Sequence, residues 1–149
     1  MKTGRLHLMA FVIILAAALS GCGIQSIPQS QNTVDASLAE VNNQYKRRAD
    51  LVPNLVQVVK GYASHESSTL EAVTNARAKA TAINLDASKA TPEQIRNFQN
   101  AQGELSQALG KLMMISENYP NLKADTQFRD LQAQLEGTEN RITVARNRY

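Results

Sequence analysis

Apolar residues recur at steps of three and four along most of the chain after residue 33, which is the period of an amphipathic α-helix. The first seam of such residues runs from Thr33 to Ala80, with Arg48 in a gap, and contains Val34, Leu38, Val41, Tyr45, Val52, Leu55, Val59, Tyr62, Leu70, Val73 and Ala76. This spacing predicts one helix of about 50 residues. Pro53 has no N–H to donate, so a kink is expected there, and Gly61 is a second weak point.

The next seam predicts a second helix that starts at Thr91. The run Thr91-Pro92-Glu93-Gln94 matches a capping box with proline in the first turn. The buried face is expected to contain Ile95, Phe98, Leu105, Leu109, Leu112 and Ile115. Gly103 and Gly110 lie seven residues apart, hence on one side of the helix. Each glycine disfavours the helix by about 1 kcal/mol relative to alanine, so we expect a neighbouring helix to approach closely there.

A third helix follows a reversal at residues 118–121. Asp125 is its expected cap, and its seam is the most regular in the chain: Phe128, Leu131, Leu135, Thr138, Ile142, Ala145 and Tyr149. The three seams together predict an all-α fold, an antiparallel bundle of three long helices with a long, kinked first helix and coiled-coil-like packing.

The first 21 residues have the pattern of a secretory signal. Lys2 and Arg5 precede an apolar stretch of about 12 residues, which is shorter than the roughly 20 that a spanning helix needs. An uncleaved membrane helix is the less favoured alternative. The run Leu19-Ser20-Gly21-Cys22 resembles the lipobox of bacterial lipoproteins. This resemblance implies cleavage between Gly21 and Cys22, a diacylglyceride on Cys22 and an amide-linked acyl chain such as palmitate.

The signal divides the chain into a leader at 1–21, a lipidated flexible tether at 22–32 and a helical domain at 33–149. A lipid on Cys22 would anchor the protein to a membrane. By resemblance to lipoproteins, Gly23 in place of an aspartate implies the outer membrane, facing the periplasm, if the source is Gram-negative. The cell envelope is therefore the expected location.

Charge and motifs argue against several classes of function. The whole chain has 16 Lys and Arg against 13 Asp and Glu, and loss of Lys2 and Arg5 leaves 14 against 13. The basic run at 46–48 is followed by Asp50 and lacks interleaved aromatics, so a solvated helix face is favoured and no nucleic-acid partner is expected.

No catalytic residues, metal site or cofactor are expected from the sequence. His65 is the only histidine after the signal, and Thr69 stands where the HExxH zinc motif needs its second histidine. Cys22 is assigned to lipid, so it cannot serve as a nucleophile. The carboxylates Glu66, Glu71, Glu136 and Glu139 leave open an enzyme with an unrecognised site. A ligand carrier with a cavity in the bundle is a further alternative to an interaction or scaffold domain.

Several motifs together resemble the LemA family of bacterial envelope proteins. They are NQYKRRADLVPNLV at 43–56, VKGYASHE at 59–66, ARAKA at 76–80, YPNLKA at 119–124 and TENRI at 138–142. The resemblance implies a long antiparallel helical bundle without an established enzymatic activity. The polar residues that carry it are Asn54, Arg77, Glu139, Asn140 and Arg141. We expect them to form buried or half-buried hydrogen bonds that fix helix register, and a partner-binding patch near Arg47 and Arg48 is the alternative.

The sequence departs from this family at both ends. Members typically carry an N-terminal membrane helix and continue with more helix after Arg-Asn-Arg-Tyr, so the third helix is expected to be cut short. Helices two and three would then cover only half of helix one. Residues Val34, Leu38, Val41, Tyr45, Arg47 and Arg48 are therefore the candidate interaction surface, for self-association or for another envelope protein.

Overall fold

The computed structural model of the protein describes residues 26–86 and 89–148, with side chains for 36–86 and 89–147. Five α-helices occupy this part of the chain, without a strand among the described residues: α1 (Ser26–Tyr62), α2 (Ser67–Ala82), α3 (Pro92–Ser116), α4 (Pro120–Ala124) and α5 (Thr126–Arg148). Residues from 35 onward form a compact unit that contains the bundle. The all-α fold class is confirmed, whereas the predicted signal at 1–21 and the proposed lipid site lie outside the described residues.

Helix α1 begins at Ser26, so the flexible tether predicted for residues 22–32 is wrong from Ser26 onward. The serine, glutamine and asparagine residues of this segment suggested a linker. None of them excludes a helix, and Pro28 lies in the first turn, where its missing N–H would have no partner inside the helix.

The prediction of a single helix to Ala80 is also wrong. Helix α1 ends at Tyr62, and the chain turns through residues 63–66 before α2 starts. Within the turn, the N–H of Glu66 donates to the carbonyl of Ala63 over 3.1 Å. Ala63, which is 1% exposed, fixes this turn to the core. Ala63 and Leu70 are seven residues apart, so the seam stays in phase across the break and its period could not reveal the turn.

Contacts between the helices define an up-down-up-down bundle. Arg77 of α2 reaches Ala49 of α1, and Gln102 of α3 reaches Ala80 of α2. At the opposite end Tyr119 contacts Glu66. Helix α5 is antiparallel to α1, since Tyr62 at the end of α1 pairs with Asp125 near the start of α5. The antiparallel bundle is thus confirmed, with four long helices and the short α4 instead of three.

The core consists of two apolar clusters. Each includes residues of α1, and Arg48 lies between the two sets along that helix. The larger cluster lies toward the α1–α2 turn and contains Val52, Leu55, Val59, Ala63, Leu70, Val73, Ala76, Ala80, Leu105, Leu109, Leu112, Leu122, Phe128, Leu131 and Leu135. The smaller cluster contains Val41, Tyr45, Ile142 and Ala145, with Phe98 packed against it. Burial of these side chains is the main stabilising term of the bundle.

The predicted start of α3 is confirmed. The backbone N–H of Gln94 donates to Thr91 Oγ1 over 3.2 Å, and the N–H of Thr91 donates to Gln94 Oε1 over 2.9 Å. The close approach predicted at Gly103 and Gly110 is wrong, because a Cβ atom at either position would meet nothing within 4 Å.

The seam of α5 is confirmed at each position with a described side chain. Its buried residues are Phe128, Leu131, Leu135, Thr138, Ile142 and Ala145, and Tyr149 lies outside the described residues. Asp125 caps the helix as predicted, since the N–H of Phe128 donates to its Oδ1 over 2.9 Å. The short α4 was not predicted.

Two tyrosine–carboxylate hydrogen bonds connect the turns at one end of the bundle. The Tyr62 hydroxyl donates to Asp125 Oδ2 and the Tyr119 hydroxyl to Glu66 Oε1, both over 2.8 Å. The backbone N–H of Phe128 and then the Tyr62 hydroxyl lower the pKa of Asp125 below its ordinary value of 3.8, against the opposing effect of burial. The hydrogen bond to Asp125 raises the pKa of Tyr62, and the hydrogen bond to Glu66 raises the pKa of Tyr119.

We predict that Asp125→Asn removes an acid-sensitive part of the stability. The lowered pKa means that the folded state favours the ionised carboxylate. This contribution is present above the unfolded pKa and is lost as the pH falls through the folded pKa. The melting temperature of Asp125→Asn should lie below that of the wild type at about pH 7, and the difference should vanish toward about pH 2 to 3.

Thermal unfolding followed by circular dichroism over this pH range measures the effect. Asp130→Asn, which alters an exposed carboxylate on the same helix, is the control. A constant difference between wild type and Asp125→Asn across the whole range would contradict this assignment.

Candidate functional site: a buried arginine cluster

Arg48 lies in the interior of the bundle at the gap that interrupts the apolar seam of α1. It is 1% exposed and is the single charged residue among the buried side chains of the described chain. Removing a charge from water costs several kcal/mol unless paired groups replace the lost solvent. The neighbouring helices must therefore supply polar partners at this level.

Helices α3 and α5 provide these partners. Arg48 Nη1 donates to Glu139 Oε1 over 2.6 Å and to Ser106 Oγ over 2.8 Å. Arg48 Nη2 donates to the backbone carbonyl and to the side-chain Oε1 of Gln102, over 2.9 and 2.8 Å. The guanidinium carbon lies 5.2 Å from the centre of the Tyr45 ring, within range of a cation–π contact. We call Arg48, Gln102, Ser106 and Glu139 the arginine cluster.

The arginine cluster extends to α2 and to the smaller apolar cluster. Gln102 Nε2 donates to the carbonyl of Ala80 over 3.3 Å, and Ser106 Oγ lies 3.3 Å from Glu139 Oε1. Tyr45 packs edge-on against Phe98, with ring centres 5.4 Å apart. One side chain on α1 is thereby connected to all three of the other long helices.

A second arginine compensates for the proline inside α1. Pro53 has no N–H, so the carbonyl of Ala49, four residues earlier, lacks its normal helical donor. Arg77 Nε of α2 donates to that carbonyl over 2.8 Å. The side chain of one helix therefore replaces a missing backbone hydrogen bond of another.

The family model described as the LemA family matches residues 37–149. The chain belongs to the LemA family. No curated protein matches the sequence. All four residues of the arginine cluster and both members of the Pro53–Arg77 pair fall within the matched range, as does the whole of α2 to α5.

The geometry of this LemA domain favours a structural role for the cluster. Arginine stays protonated, so it cannot transfer protons at ordinary pH. His65 is exposed in the α1–α2 turn, away from the cluster. Within the described residues no three His, Cys, Asp or Glu side chains could hold a metal ion together. No described helix has the length and apolarity needed to cross a bilayer.

The structure divides the polar residues that were expected to fix helix register. Arg77 and Glu139 form the predicted hydrogen bonds. Asn54, Asn140 and Arg141 are exposed, so the prediction of buried or half-buried hydrogen bonds is wrong for them. Gln102 and Ser106 were missed, because nothing in the seam of α3 indicates that a charged residue faces it.

The predicted interaction surface is wrong at three of its six positions. Val41 and Tyr45 are only 7% and 6% exposed, covered by Ile142, Ala145 and Phe98, and Arg48 is the centre of the arginine cluster. The prediction assumed an uninterrupted first helix, and the turn at 63–66 removes the length mismatch. Arg47 is exposed and Leu38 half-buried, while the side chain of Val34 lies outside the described residues.

We predict that Arg48→Met lowers the free energy of unfolding by about 3 kcal/mol. The substitution keeps the apolar length of the side chain but leaves Gln102 and Glu139 without their donor. Glu139 can reach water, since its side chain is 42% exposed, which places the loss near the low end for a broken buried ion pair.

Urea unfolding measures this loss, and Arg47→Met on the neighbouring exposed position is the control. The control should change the free energy by less than about 0.5 kcal/mol. Equal effects of the two substitutions would show that Arg48 is not the buried centre described above.

We predict a thermodynamic coupling between Arg77 and Pro53. In the wild type, Arg77→Met should lower the free energy of unfolding by about 1.5 kcal/mol, since a carbonyl then loses a charged donor. In a Pro53→Ala background the new backbone N–H can serve the Ala49 carbonyl. The effect of Arg77→Met should then shrink by about 1 kcal/mol.

A double-mutant cycle with urea unfolding measures this coupling. Pro92→Ala, which alters a proline in the first turn of α3, provides the control background and should leave the effect of Arg77→Met unchanged. Additive effects of Arg77→Met and Pro53→Ala would refute the proposed compensation.

Proposed function

We propose that the chain is a membrane-anchored lipoprotein of the bacterial envelope whose LemA bundle acts as a non-catalytic interaction domain. The observation that carries this proposal is the arginine cluster, where the polar groups inside the bundle bind one another. Side chains used in this way hold helices in register, because they bind one another across helix boundaries. A function of such a domain is then sought on its outer surface and in its attachment.

The anchor is inferred from the sequence of the leader. A short basic region, an apolar stretch and Leu19-Ser20-Gly21-Cys22 occur in the order of a lipoprotein signal. Each buried methylene of an acyl chain contributes about 0.8 kcal/mol, so two or three chains hold a protein on a bilayer stably. The outer membrane facing the periplasm is the proposed destination in a Gram-negative cell.

An enzyme with an unrecognised carboxylate site is less well supported. Such a site needs carboxylates that converge in a cleft with perturbed proton affinity. Glu66 accepts from Tyr119 at one end of the bundle, while Glu139 is paired with Arg48 at the level of the arginine cluster. Glu136 accepts a hydrogen bond from Gln132 on the same helix. These three contacts distribute the carboxylates instead of grouping them.

A ligand carrier would need an enclosed cavity between the helices. The centre of the bundle is filled by the larger apolar cluster, where Leu55, Val73, Leu105 and Leu112 are fully buried. The cavities found in the described part of the chain are clefts at its surface. An interaction domain therefore agrees better with the packing than a carrier does.

We predict that Cys22→Ala releases the protein from the membrane. The wild type, expressed as the full chain in a bacterium fed an alkyne-bearing palmitate, should incorporate the label and remain in the membrane pellet. Cys22→Ala should be unlabelled, because Cys22 is the only cysteine of the sequence. Ser20→Ala keeps a small residue before the cleavage point and should behave as the wild type.

Chemical crosslinking of the same cells tests the interaction role separately. Labelled wild type that gives no crosslinked species would retain the anchor and refute the interaction domain. Wild type that carries no label would refute the anchor itself.

A further inference from the structure

A groove runs along the outer face of the bundle between α3 and α5. Its wider part is a cleft of about 480 Å³ whose lining includes Leu109, Gly110, Met113 and Leu135. Its narrower part is a cleft of about 190 Å³ whose lining includes Gly103 and Arg146. Ser106 and Glu139 line both parts, which makes them continuous. We call the whole feature the α3–α5 groove.

Two glycines keep this groove open. Gly103 and Gly110 lie inside α3, where each disfavours the helix by about 1 kcal/mol relative to alanine. A Cβ atom would meet nothing within 4 Å at either position, so packing within the bundle does not require glycine there. Local departures from a good helix sequence without an internal gain are expected at functional sites.

A buried polar atom lies beside the narrower cleft. Arg48 lines this cleft, and its Nε is buried without a hydrogen-bond partner in the described structure. Nearly all buried N–H groups in folded proteins have an acceptor, so this N–H is an unused hydrogen-bond donor beside the narrower cleft. This observation is independent of the glycines.

The charges of the groove are separated along its length. Glu136 and Glu139 line the wider cleft, whose lining contains no basic residue. Arg146 lines the narrower cleft, seven residues further along α5 than Glu139. A seven-residue separation is two helical turns, or about 10.5 Å.

The lining residues favour a helical occupant. Gly103, Ser106, Gly110 and Met113 follow one another at steps of three and four on α3, which is the spacing that accepts side chains of a third helix. The backbone donors and acceptors inside α3 and α5 are used within the helices, so an extended peptide would gain no strand pairing here.

We propose that the α3–α5 groove binds an amphipathic α-helix of another envelope protein. That helix carries apolar side chains at heptad spacing, which enter the groove over Gly103 and Gly110. It places a lysine or arginine opposite Glu136 and Glu139, and an acidic residue two turns away opposite Arg146. The inference rests on the proposed interaction function and specifies its surface.

Site-specific photocrosslinking of the full lipidated chain in living cells tests the proposal. The photoreactive amino acid p-benzoylphenylalanine replaces Gln132, which lines the groove, or Glu71, which is exposed on α2. Mass spectrometry identifies the crosslinked peptide. The proposal expects, from the Gln132 position, a helical segment of a different protein with the stated apolar and charge pattern.

Two substitutions within the groove should reduce that crosslink about tenfold, the loss typical of a central interface contact. Gly110→Leu fills the wider cleft, and Glu136→Lys reverses its charge. The control is Gly61→Leu, because Gly61 is exposed outside the groove and also has free space around it. Gly110→Leu should not lower the melting temperature, which separates loss of binding from loss of folding.

The outcomes distinguish this proposal from the function on which it rests. A crosslink between two copies of this chain, or to a segment without the stated pattern, overturns the assigned occupant. Crosslinks from Glu71 alone overturn the groove and leave the interaction function standing. Absence of crosslinks from both positions overturns both.

Discussion

The rest of the bundle depends on the burial of one positive charge. Arg48 occupies a position that the apolar seam of α1 would give to a leucine or valine, and its guanidinium needs acceptors in a dry interior. Those acceptors come from Gln102 and Ser106 of α3 and from Glu139 of α5. Apolar side chains tolerate small displacements along a helix axis, whereas hydrogen bonds of this geometry do not. The cluster therefore selects one register of α1, α3 and α5 among the several that the heptad pattern alone would permit.

The neighbouring residue of α1 extends the same constraint to α2. The carbonyl of Ala49 is left without a donor by Pro53, and Arg77 supplies one from across the helix boundary. Gln102 adds a contact from α3 to the last turn of α2. Two adjacent residues on α1 thus set the positions of the three other long helices. Pro53 interrupts the backbone hydrogen bonds of α1, and the carbonyl that it leaves free is the site at which α2 is attached.

How much of this could be predicted from the sequence depends on the range of the interactions. The capping box at Thr91 and the Asp125 cap involve residues three apart, and the seam of α5 is a local period, so each was predicted correctly. The turn at 63–66 was missed because Ala63 and Leu70 keep the seam in phase. The gap at Arg48 was visible, but its partners lie 54 to 91 residues away, and the basic neighbours Lys46 and Arg47 favoured a solvated face. Two features of the sequence would together have identified the cluster. Arg48 is a charged residue inside the seam of α1, and Glu139 lies next to the buried face of α5.

Glu139 connects the interior of the bundle with its surface. One of its oxygens accepts from Arg48, while nearly half of the side chain is exposed in the α3–α5 groove. A cation bound in the groove would share this carboxylate with Arg48, so binding outside and helix register inside are energetically linked at one residue. For the same reason a substitution of Glu139 would alter both properties together. Glu136 and Gly110 lie on the groove without contacting Arg48, and they are the positions at which the surface can be changed while the interior stays intact.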